Sequence, residues 1–400
     1  MNKIIIGIPG PWSSREALVS AVIGLAGSQP RWLLAGNILM DLNDRQQVLV
    51  ELDGRNDGMQ QAFEIAGGGR LSADTLQSIG GHEMTAYVLA DCGLAGARRV
   101  VDAAAALLDA GGLGVKVETA GLAFDPEHWR ALASSGSTLS LYDALVTLVG
   151  GDGGATSCGM HNFGLPDATI SGIPAEQLAN QLTAFNQWQL LTRPDLKDGS
   201  LFADSLTSQA LEMHLVPYGY ETDSTLNNPH GRWEMKPSAR SLDLEPASDA
   251  DGPLFMTLDS SSFEAVQAVE TARATVDRLV DFIASSAEFG RPMLKLRIVD
   301  GEESALMWLG LVRIDDETIT GHLFEVPPAF RAHKPGQEVT VARTEIEDWA
   351  IFRCGAVIGG FSLRLQHHGV ADRHKQWWTM YTGNLAFEPL GDVVDKYLVE

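Results

Sequence analysis

The sequence predicts an α+β protein, because helix and strand patterns alternate in two separate stretches of the chain. Between residues 3 and 119 the patterns follow the order β-α-β-β-(α)-β-α-β. This order predicts ferredoxin-like antiparallel sheet layers, in which helices cover one face of the sheet. Between residues 259 and 366 an amphipathic helix leads into several short strands, whose close spacing predicts a small, strongly curved sheet or a partly open barrel.

The N-terminal elements are identified by apolar periodicity and by turn residues. Ser13 or Ser14 can cap the first helix, which the pattern continues through Leu25. Gly111-Gly112 ends an alanine-rich second helix at 95–108. Strands are predicted at 3–8, 32–40, 47–52, 85–90 and 114–119.

The C-terminal helix has an N-terminal signature of its own. Ser261 can cap it, and Glu264 can complete a capping box. Apolar residues recur through it at helical spacing, and they are Phe263, Val266, Val269, Val276, Leu279, Val280 and Ile283. In the first strand that follows, leucines and an isoleucine at 294–298 alternate with Lys295 and Arg297. Further strands are predicted at 308–314, 319–326, 339–341 and 346–352, and the alternation continues after Gly359-Gly360 with Phe361, Leu363 and Leu365.

An ordered set of short motifs in this stretch is similar to a known family. The motifs are Met307-Trp308-Leu309, Thr320-Gly321, Pro335-Gly336-Gln337-Glu338-Val339, Ile346-Glu347-Asp348-Trp349 and Gly359-Gly360-Phe361-Ser362-Leu363-Arg364. Residues 259–366 thereby resemble the bacterial domain of unknown function 2314. The resemblance implies a small α+β module of soluble bacterial proteins and gives no catalytic residue. Trp308 and Trp349 are therefore interpreted as core aromatics, with a ligand platform as the alternative.

A second set of motifs covers residues 158–237. It includes Gly159-Met160-His161-Asn162-Phe163-Gly164-Leu165-Pro166-Asp167, a helix predicted at 174–190, and Leu196-Lys197-Asp198-Gly199. This segment resembles the bacterial domain of unknown function 4261, which also implies no reaction. Its polar side chains could line one cleft, and the candidates are His161, Asp167, His214, Glu221, His230 and Arg232. A structural polar network around a long loop is the alternative interpretation.

Composition places a linker between the two halves of the chain. Residues 238–253 are rich in Ser, Asp, Ala and Pro and show no periodicity. The predicted organisation is a mixed α+β region at 1–237 that contains the 4261-like segment at 158–237, then the linker at 238–253. A C-terminal module of the 2314 type follows at 254–400.

The composition of the 400-residue chain limits its class. Hydrophobic residues make up 45% of it and charged residues 20%, as in globular proteins. No uncharged apolar run reaches the roughly 18 residues that a membrane span needs, and no signal peptide is recognised. Cys92, Cys158 and Cys354 give no disulfide framework. We therefore expect a cytoplasmic protein.

The net charge of −23 argues against two kinds of partner. Nucleic acids and anionic membranes both require a basic protein face. A basic protein partner is compatible with the charge and would be attracted by it. Solubility alone is the other interpretation, and the oligomeric state is left open.

Two patterns resemble nucleotide-binding or nucleophile motifs without completing them. Residues 7–14 lie between a strand and a helix, as a phosphate-binding loop does, but they lack its lysine and its glycine spacing. Residues 155–159 lack the strand-turn-helix context of a nucleophile elbow. No catalytic residue and no cofactor are predicted.

The metal-binding patterns are also incomplete. His82-Glu83 lacks the second histidine of a zincin, and Cys158 and His161 lack a second ligand pair. The best remaining metal candidate is the group His367, His368 and His374 beside Asp372, in a segment expected to be strand and loop. Surface histidines are the alternative there, and no metal site is predicted.

Two functional hypotheses fit these observations. The first is a non-enzymatic cytoplasmic protein that binds another protein, for example as an immunity or accessory factor in a bacterial toxin or secretion system. The second is a hydrolase or small-ligand-binding enzyme with its site between residues 158 and 233. Convergent polar side chains would favour the enzyme, and a flat acidic or aromatic face would favour the binding protein.

Overall fold

A computed structural model of the chain describes residues 3–25, 31–151, 153–217, 228–240, 242, 262–286 and 290–389. These residues form three sheets and 11 α-helices, so the protein is a mixed α+β protein. The chain divides into two compact units, residues 1–182 with 213–236 (unit 1) and residues 183–212 with 237–400 (unit 2). The linear domain boundaries stay a prediction, and most of the predicted linker at 238–253 lies outside the described residues. None of the described helices is both long and apolar enough to cross a membrane.

The first sheet of unit 1 contains seven antiparallel strands. They are β1 (Lys3–Gly10), β2 (Trp32–Ala35), β3 (Ile38–Asp41), β4 (Gln47–Gly54), β5 (Met84–Asp91), β6 (Val115–Val117) and β7 (Leu122–Phe124). They lie in the order β2-β3-β4-β5-β1-β6-β7. In this order β5 separates β1 from β4, and β1 separates β5 from β6. A ferredoxin-like layer has this kind of strand insertion between the two strands of each β-α-β unit. The ferredoxin-like assignment stays a prediction.

Helices pack against this sheet. The helices of this part of the chain are α1 (Arg15–Gly24), α2 (Met59–Gly67), α3 (Ala73–Gly80), α4 (Leu94–Asp109), α5 (Pro126–Ser134) and α6 (Thr138–Leu145). Ser14 caps α1, as predicted, by accepting a hydrogen bond from the Ala17 amide at 3.2 Å. Helix α4 packs on β1 and β5. Ile4, Ile6 and Ile8 are fully buried at alternate positions of β1, which makes that face the core of the layer.

The second sheet of unit 1 contains the predicted polar segment. The next elements in the chain are β8 (Thr147–Gly151), β9 (Gly154–Cys158), β10 (Asp167–Ser171), α7 (Ala175–Thr192), β11 (Leu201–Phe202), β12 (Leu211–Val216) and β13 (Arg232–Pro237). Within unit 1 the strands lie in the order β12-β13-β10-β9-β8. Strands β10 and β13 are parallel, and Arg232 is the register partner of Asp167.

The sheet of unit 2 also contains seven strands. They are β14 (Arg291–Asp300), β15 (Glu303–Ile314), β16 (Thr318–Leu323), β17 (Glu338–Ala342), β18 (Asp348–Arg353), β19 (Ala356–Gly359) and β20 (Ala386–Phe387), in the order β17-β16-β15-β14-β18-β19-β20. Four more helices are α8 (Phe263–Ala274), α9 (Val276–Ser286), α10 (Phe361–Gly369) and α11 (Asp372–Thr382). Helix α8 packs on α10 and β18.

The prediction of a partly open barrel is wrong, and the strong curvature of the sheet stays a prediction. Strands β17 and β20 are the two ends of the strand order and do not pair with each other in the described part of the chain, so the sheet is open. The residues after Gly359-Gly360 form helix α10 and add no further strand. Phe361 packs edge-to-face on Trp349, with 5.9 Å between the ring centroids, and this contact fixes the start of the helix on the sheet.

The single helix predicted at the start of this module is two helices. Thr275 separates α8 from α9, and its hydroxyl donates to the Thr271 carbonyl at 2.7 Å. The N-cap of α8 is Ser262, which accepts from the Ala265 amide at 3.2 Å. The predicted cap, Ser261, lies outside the described residues.

Candidate functional site

Asp167 is the centre of the polar cluster predicted in unit 1. It is buried at the start of β10. One carboxylate oxygen accepts from the Met160 amide at 3.0 Å and from the Ser157 hydroxyl at 3.2 Å. The other accepts from the side-chain amide of Asn228 at 2.7 Å, and that amide also donates to the Leu165 carbonyl at 2.9 Å. All these donors are neutral groups. The Met160 and Asn228 donors tie loops to the sheet, and Ser157 lies on the neighbouring strand β9.

His161 and His230 lie near this aspartate. Nδ1 of His161 is 3.9 Å from an Asp167 oxygen, which is too long for a hydrogen bond, and this buried atom has no partner among the described residues. Burial lowers the pKa of His230; His161 lowers it further, and Asp167 acts in the opposite direction. The structure therefore brings His161, Asp167 and His230 into one electrostatic neighbourhood.

The other predicted members are placed less centrally. Arg232 lies beside Asp167 in the sheet, and its guanidinium pairs with Glu234 at 3.3 Å. His214 is exposed on β12. Glu221 lies outside the described residues. The six residues as one functional cleft stay a prediction.

The other histidine and cysteine patterns have structural explanations. His82 is fully buried, its Nε2 accepts from the Asn56 amide at 3.1 Å, and its Nδ1 lies 2.8 Å from the Ile79 carbonyl oxygen. Burial, and then the charge of Asp167, raise the pKa of Cys158 to about 11, so its sulfur is a neutral thiol.

The C-terminal histidines lie on helices, so the expected strand and loop is wrong there. His367 is on α10 and packs on the Trp378 ring, with 5.1 Å between centroids. His374 is on α11 and is buried, so it is not a surface histidine. Across the described part of the chain, no group of three or more His, Cys, Asp or Glu residues is arranged to hold a metal ion.

A cavity of about 350 Å³ beside helix α8 in unit 2 is a second candidate. Ala265, Val266 and Val269 of α8 form an apolar part of its wall. The polar part includes Arg273, Lys295, Arg297 and Ser362, together with Glu270 and Glu347. The cavity thus combines an apolar wall with a few convergent polar groups, the composition that is typical of small-molecule sites.

Asp348, the first residue of β18, is fully buried beside this wall. One of its oxygens accepts from the amides of Trp349 at 2.8 Å and Phe361 at 3.1 Å. The other accepts from the amide and the hydroxyl of Ser362, at 2.8 and 2.6 Å. Burial raises the pKa of Asp348, while the hydrogen bonds from Ser362 and the charge of Lys295 oppose the rise. The carboxylate is therefore a fixed acceptor at the N-terminus of α10.

Two consecutive glycines bring α10 to Asp348. Gly359 and Gly360 have φ values of +70° and +67°, in the left-handed region that favours glycine. A Cβ at Gly359 would lie 2.6 Å from the Trp349 carbonyl oxygen, which itself accepts from the Gly360 amide at 2.7 Å. This turn places Ser362 between Asp348 and the cavity.

Lys295 lies in a cross-strand row between Trp308 and Asp348. Its ammonium nitrogen donates to the Ser362 hydroxyl oxygen at 3.0 Å and lies 5.8 Å from the centroid of the Trp308 ring. Burial lowers the pKa of Lys295, and the charges of Asp348 and Glu347 act in the opposite direction. Trp308 is only half-buried, so it differs from Trp349, which is a fully buried core aromatic as predicted.

The two arginines of the wall have different surroundings. Arg297 faces Glu347 at 3.5 Å. Arg273 donates through Nε to the Ile346 carbonyl at 2.8 Å, and no acidic side chain pairs with it among the described residues. The guanidinium of Arg273 is therefore the least compensated cation of the cavity.

This site is not predicted from the sequence, in which Lys295 and Arg297 form only the polar half of an alternating strand. Two cations on one face of a strand were the available signal, since Lys295 is the register partner of Asp348 and Arg297 faces Glu347. That pairing is a matter of strand register, which the sequence pattern does not specify.

Comparison with known proteins identifies the C-terminal region only. Residues 264–385 match the family described as an uncharacterized protein conserved in bacteria (DUF2314). This match confirms the resemblance predicted for that region. No curated protein and no solved structure matches the chain. The similarity of residues 158–237 to domain of unknown function 4261 stays a prediction.

Proposed function

We propose that the protein binds a small carboxylate-bearing ligand in the cavity beside α8. The observation that carries the proposal is that Arg273, Lys295 and Arg297 converge on one cavity in a chain with a net charge of −23. The surrounding negative charge works against any adventitious anion site. Guanidinium groups match the planar geometry of a carboxylate, so Arg273 and Arg297 are the natural ligand anchors.

The rest of the cavity is consistent with a small organic ligand. Its volume of about 350 Å³ lies at the lower end of the range typical of small-molecule pockets, about 300 to 1,000 Å³. Val266 and Val269 offer apolar contact to a short carbon chain. Glu270 and Glu347 limit the positive charge, which favours a ligand with one or two carboxylates over a highly charged polyanion.

Calorimetric titration with succinate tests this function. We expect succinate to bind the wild-type chain and to bind Arg273→Gln at least about tenfold more weakly. Arg313→Gln is the matched control, because Arg313 is an exposed arginine of β15 in an ion pair with Asp315. The proposal fails if neither succinate nor other small carboxylates bind, or if Arg273→Gln binds them as tightly as the control does.

A non-enzymatic cytoplasmic protein-binding or immunity/accessory factor is a second candidate. Its support is the net charge of −23, which would attract a basic protein, and the exposed apolar residues Phe263 and Val266 at the start of α8, with exposed fractions of 70% and 42%. We expect purification from the native host, at low and moderate salt, to recover a stoichiometric basic protein that Phe263→Ser/Val266→Ser fails to retain. Recovery of no such protein would contradict this candidate.

A hydrolase or small-ligand-binding enzyme with its site at 158–233 is a third candidate. Its support is the buried, unpartnered Nδ1 of His161 at 3.9 Å from Asp167. His161→Asn should then abolish activity toward a panel of ester and amide substrates without changing the circular dichroism spectrum. Absence of any such activity in the wild-type chain would rule this candidate out.

A further inference from the structure

The hydrogen bonds from Lys295 to Asp348 form a directed chain. The lysine ammonium has donors only, so Ser362 Oγ must accept from it at 3.0 Å. The one proton of the serine hydroxyl is then free to be donated to Asp348 at 2.6 Å. A proton that leaves Lys295 therefore has a continuous path through Ser362 to a carboxylate.

Burial at both ends makes this transfer less unfavourable. Burial lowers the pKa of Lys295 and raises that of Asp348, so both effects oppose the charged pair. The backbone amides of Trp349, Phe361 and Ser362 hold the carboxylate in place in either state. Among the described residues, Lys295 is the one lysine that lines this cavity. An uncharged lysine amine in such a position is a nucleophile.

The cavity places carboxylate anchors near the same nitrogen. Arg273 and Arg297 line the cavity together with Lys295. A ligand whose carbonyl carbon is adjacent to its carboxylate could then present the carbonyl to the amine while the arginines hold the carboxylate. Compounds with this arrangement are 2-oxo acids.

We propose that Lys295 forms a reversible imine with a 2-oxo acid bound in this cavity, with Ser362 and Asp348 as its proton relay. The inference rests on the proposed carboxylate-binding function. Lys295 first passes one proton through Ser362 to Asp348. The amine lone pair then attacks the carbonyl carbon, and a C–N bond forms as the C–O double bond becomes single. One proton then moves from the attacking nitrogen to the alkoxide oxygen, and the proton on Asp348 returns through Ser362 to the same oxygen. The remaining C–O bond breaks, water leaves with both protons, and the nitrogen lone pair forms the C–N double bond of a protonated imine.

Reductive trapping with pyruvate tests the proposal. The full chain is incubated with pyruvate and sodium cyanoborohydride, which reduces an imine to a stable secondary amine. We expect one pyruvate adduct per chain, located on the peptide that contains Lys295, and no rapid adduct in Lys295→Arg. Lys334→Arg is the control, because Lys334 is exposed in a turn of the same unit. Adducts spread over several lysines at similar rates, or unchanged in Lys295→Arg, would overturn the proposal.

Ser362→Ala separates the relay from simple proximity. We expect it to slow trapping by about 10²-fold, the lower range for one acid–base group, and to shift the pH at which trapping is half-maximal upward. Equal rates and equal pH profiles in the two proteins would overturn the relay. Pyruvate protection of the native state in thermal unfolding confirms that Ser362→Ala and Lys295→Arg still fold and bind.

Propionate, which has the carboxylate but no carbonyl, separates this inference from the proposed function. If propionate and pyruvate bind and no adduct forms, carboxylate binding stands and the imine is wrong. If neither binds and no adduct forms, both proposals fail. If an adduct forms at Lys295 equally fast with acetone and with pyruvate, the reactive lysine stands and the 2-oxo acid assignment is wrong.

Discussion

Asp167 in unit 1 and Asp348 in unit 2 are both buried among hydrogen-bond donors, and the two aspartates differ in the groups to which those donors are themselves bonded. Asp167 in unit 1 is held by neutral groups, two of them from the loops that flank β10 and β13. Asp348 in unit 2 is held by three amides and a serine hydroxyl, and that serine also accepts from Lys295. The first network is closed on itself, and the second continues to a charged group on a cavity wall.

The contrast between Asp167 and Asp348 distinguishes a structural polar network from one that can react. Both aspartates are buried and well satisfied, so burial and hydrogen-bond number do not distinguish them. What distinguishes Asp348 is a serine hydroxyl that links it to an ammonium group lining a cavity. Near Asp167, Nδ1 of His161 lies 3.9 Å from a carboxylate oxygen and makes no hydrogen bond to it. This contrast predicts different responses to substitution in the two units.

Asp348→Ala should give the largest effect. The change leaves the amides of Trp349, Phe361 and Ser362 without their carboxylate and removes the counter-charge of Lys295. Each buried amide left unsatisfied costs about 1 to 3 kcal/mol of unfolding free energy, and here three amides lose their acceptor. Urea unfolding measures the cost, and hydrogen exchange should show the loss of protection at the start of α10.

Asp277→Ala is the control for this change. Asp277 is an exposed aspartate of the same unit and forms a surface ion pair with Arg343. Surface ion pairs contribute only about 0 to 1 kcal/mol. If Asp348→Ala is no more destabilising than Asp277→Ala, the Asp348 network is not the structural centre of unit 2.

Asp167→Ala should cost less, although it is also a buried aspartate. Two of its donors have a second acceptor: the Asn228 side chain also donates to Leu165, and the Ser157 hydroxyl also lies 3.4 Å from the Ala168 carbonyl oxygen. One amide, that of Met160, loses the bond outright, and an unsatisfied buried amide costs about 1 to 3 kcal/mol. Urea unfolding of Asp167→Ala and Asp348→Ala side by side tests the ranking. A larger loss in Asp167→Ala would reverse our comparison.

Ser362 and Ser157, the serines bonded to the two aspartates, allow the same comparison of unfolding free energies with smaller substitutions. Ser362→Ala removes the hydroxyl between two ionisable groups, and hydrogen bonds to charged groups contribute about 1.5 to 3 kcal/mol. Ser157→Ala removes the acceptor of the Ala168 amide at 2.9 Å and a longer donor to the Asp167 carboxylate at 3.2 Å, and should cost about 1.5 kcal/mol, the lower limit for a hydrogen bond to a charged group. The unfolding free energies of both variants in urea check this order. Equal losses would indicate that the charge of Lys295 adds nothing to the Ser362 bond.

The sequence predicts the local elements well because their signals are local. The cap at Ser14 and the strands predicted at 308–314 and 319–326 depend on neighbouring residues in the chain, and the structure confirms them as the cap of α1 and as β15 and β16. A comparable local signal lies at α5, where Asp125 accepts from the amides of Glu127 and His128 and Pro126 is the first helical residue. These capping residues alone indicate that helix.

The candidate site was not predictable in the same way. Lys295 and Asp348 meet because β14 and β18 pair in one particular register, and Ser362 joins them because a glycine pair turns the chain into α10. Register and the direction of a turn depend on the packing of the whole unit. The alternation of Phe361, Leu363 and Leu365 even favoured a strand, and contact of Phe361 with Trp349 overrides it.

The smallest predicted effect is a pH dependence that again differs between the units. Burial, followed by Lys375 and His368, lowers the pKa of His367 below the ordinary value of 6.5. Burial, followed by His161, lowers the pKa of His230 as well.

A lowered pKa in the folded state means that the unfolded chain binds more protons just below pH 6.5, so stability falls as the pH falls through this window. Because His367 is packed between the rings of Trp378 and Phe387 and His230 is exposed, the loss should be larger at His367. The drop in the urea midpoint from pH 7.5 to pH 5.5 should therefore be largest in the wild-type chain. It should be smaller in His230→Gln and smallest in His367→Gln. The reverse order would mean that the polar cluster around Asp167 is more sensitive to protonation than the surroundings of His367.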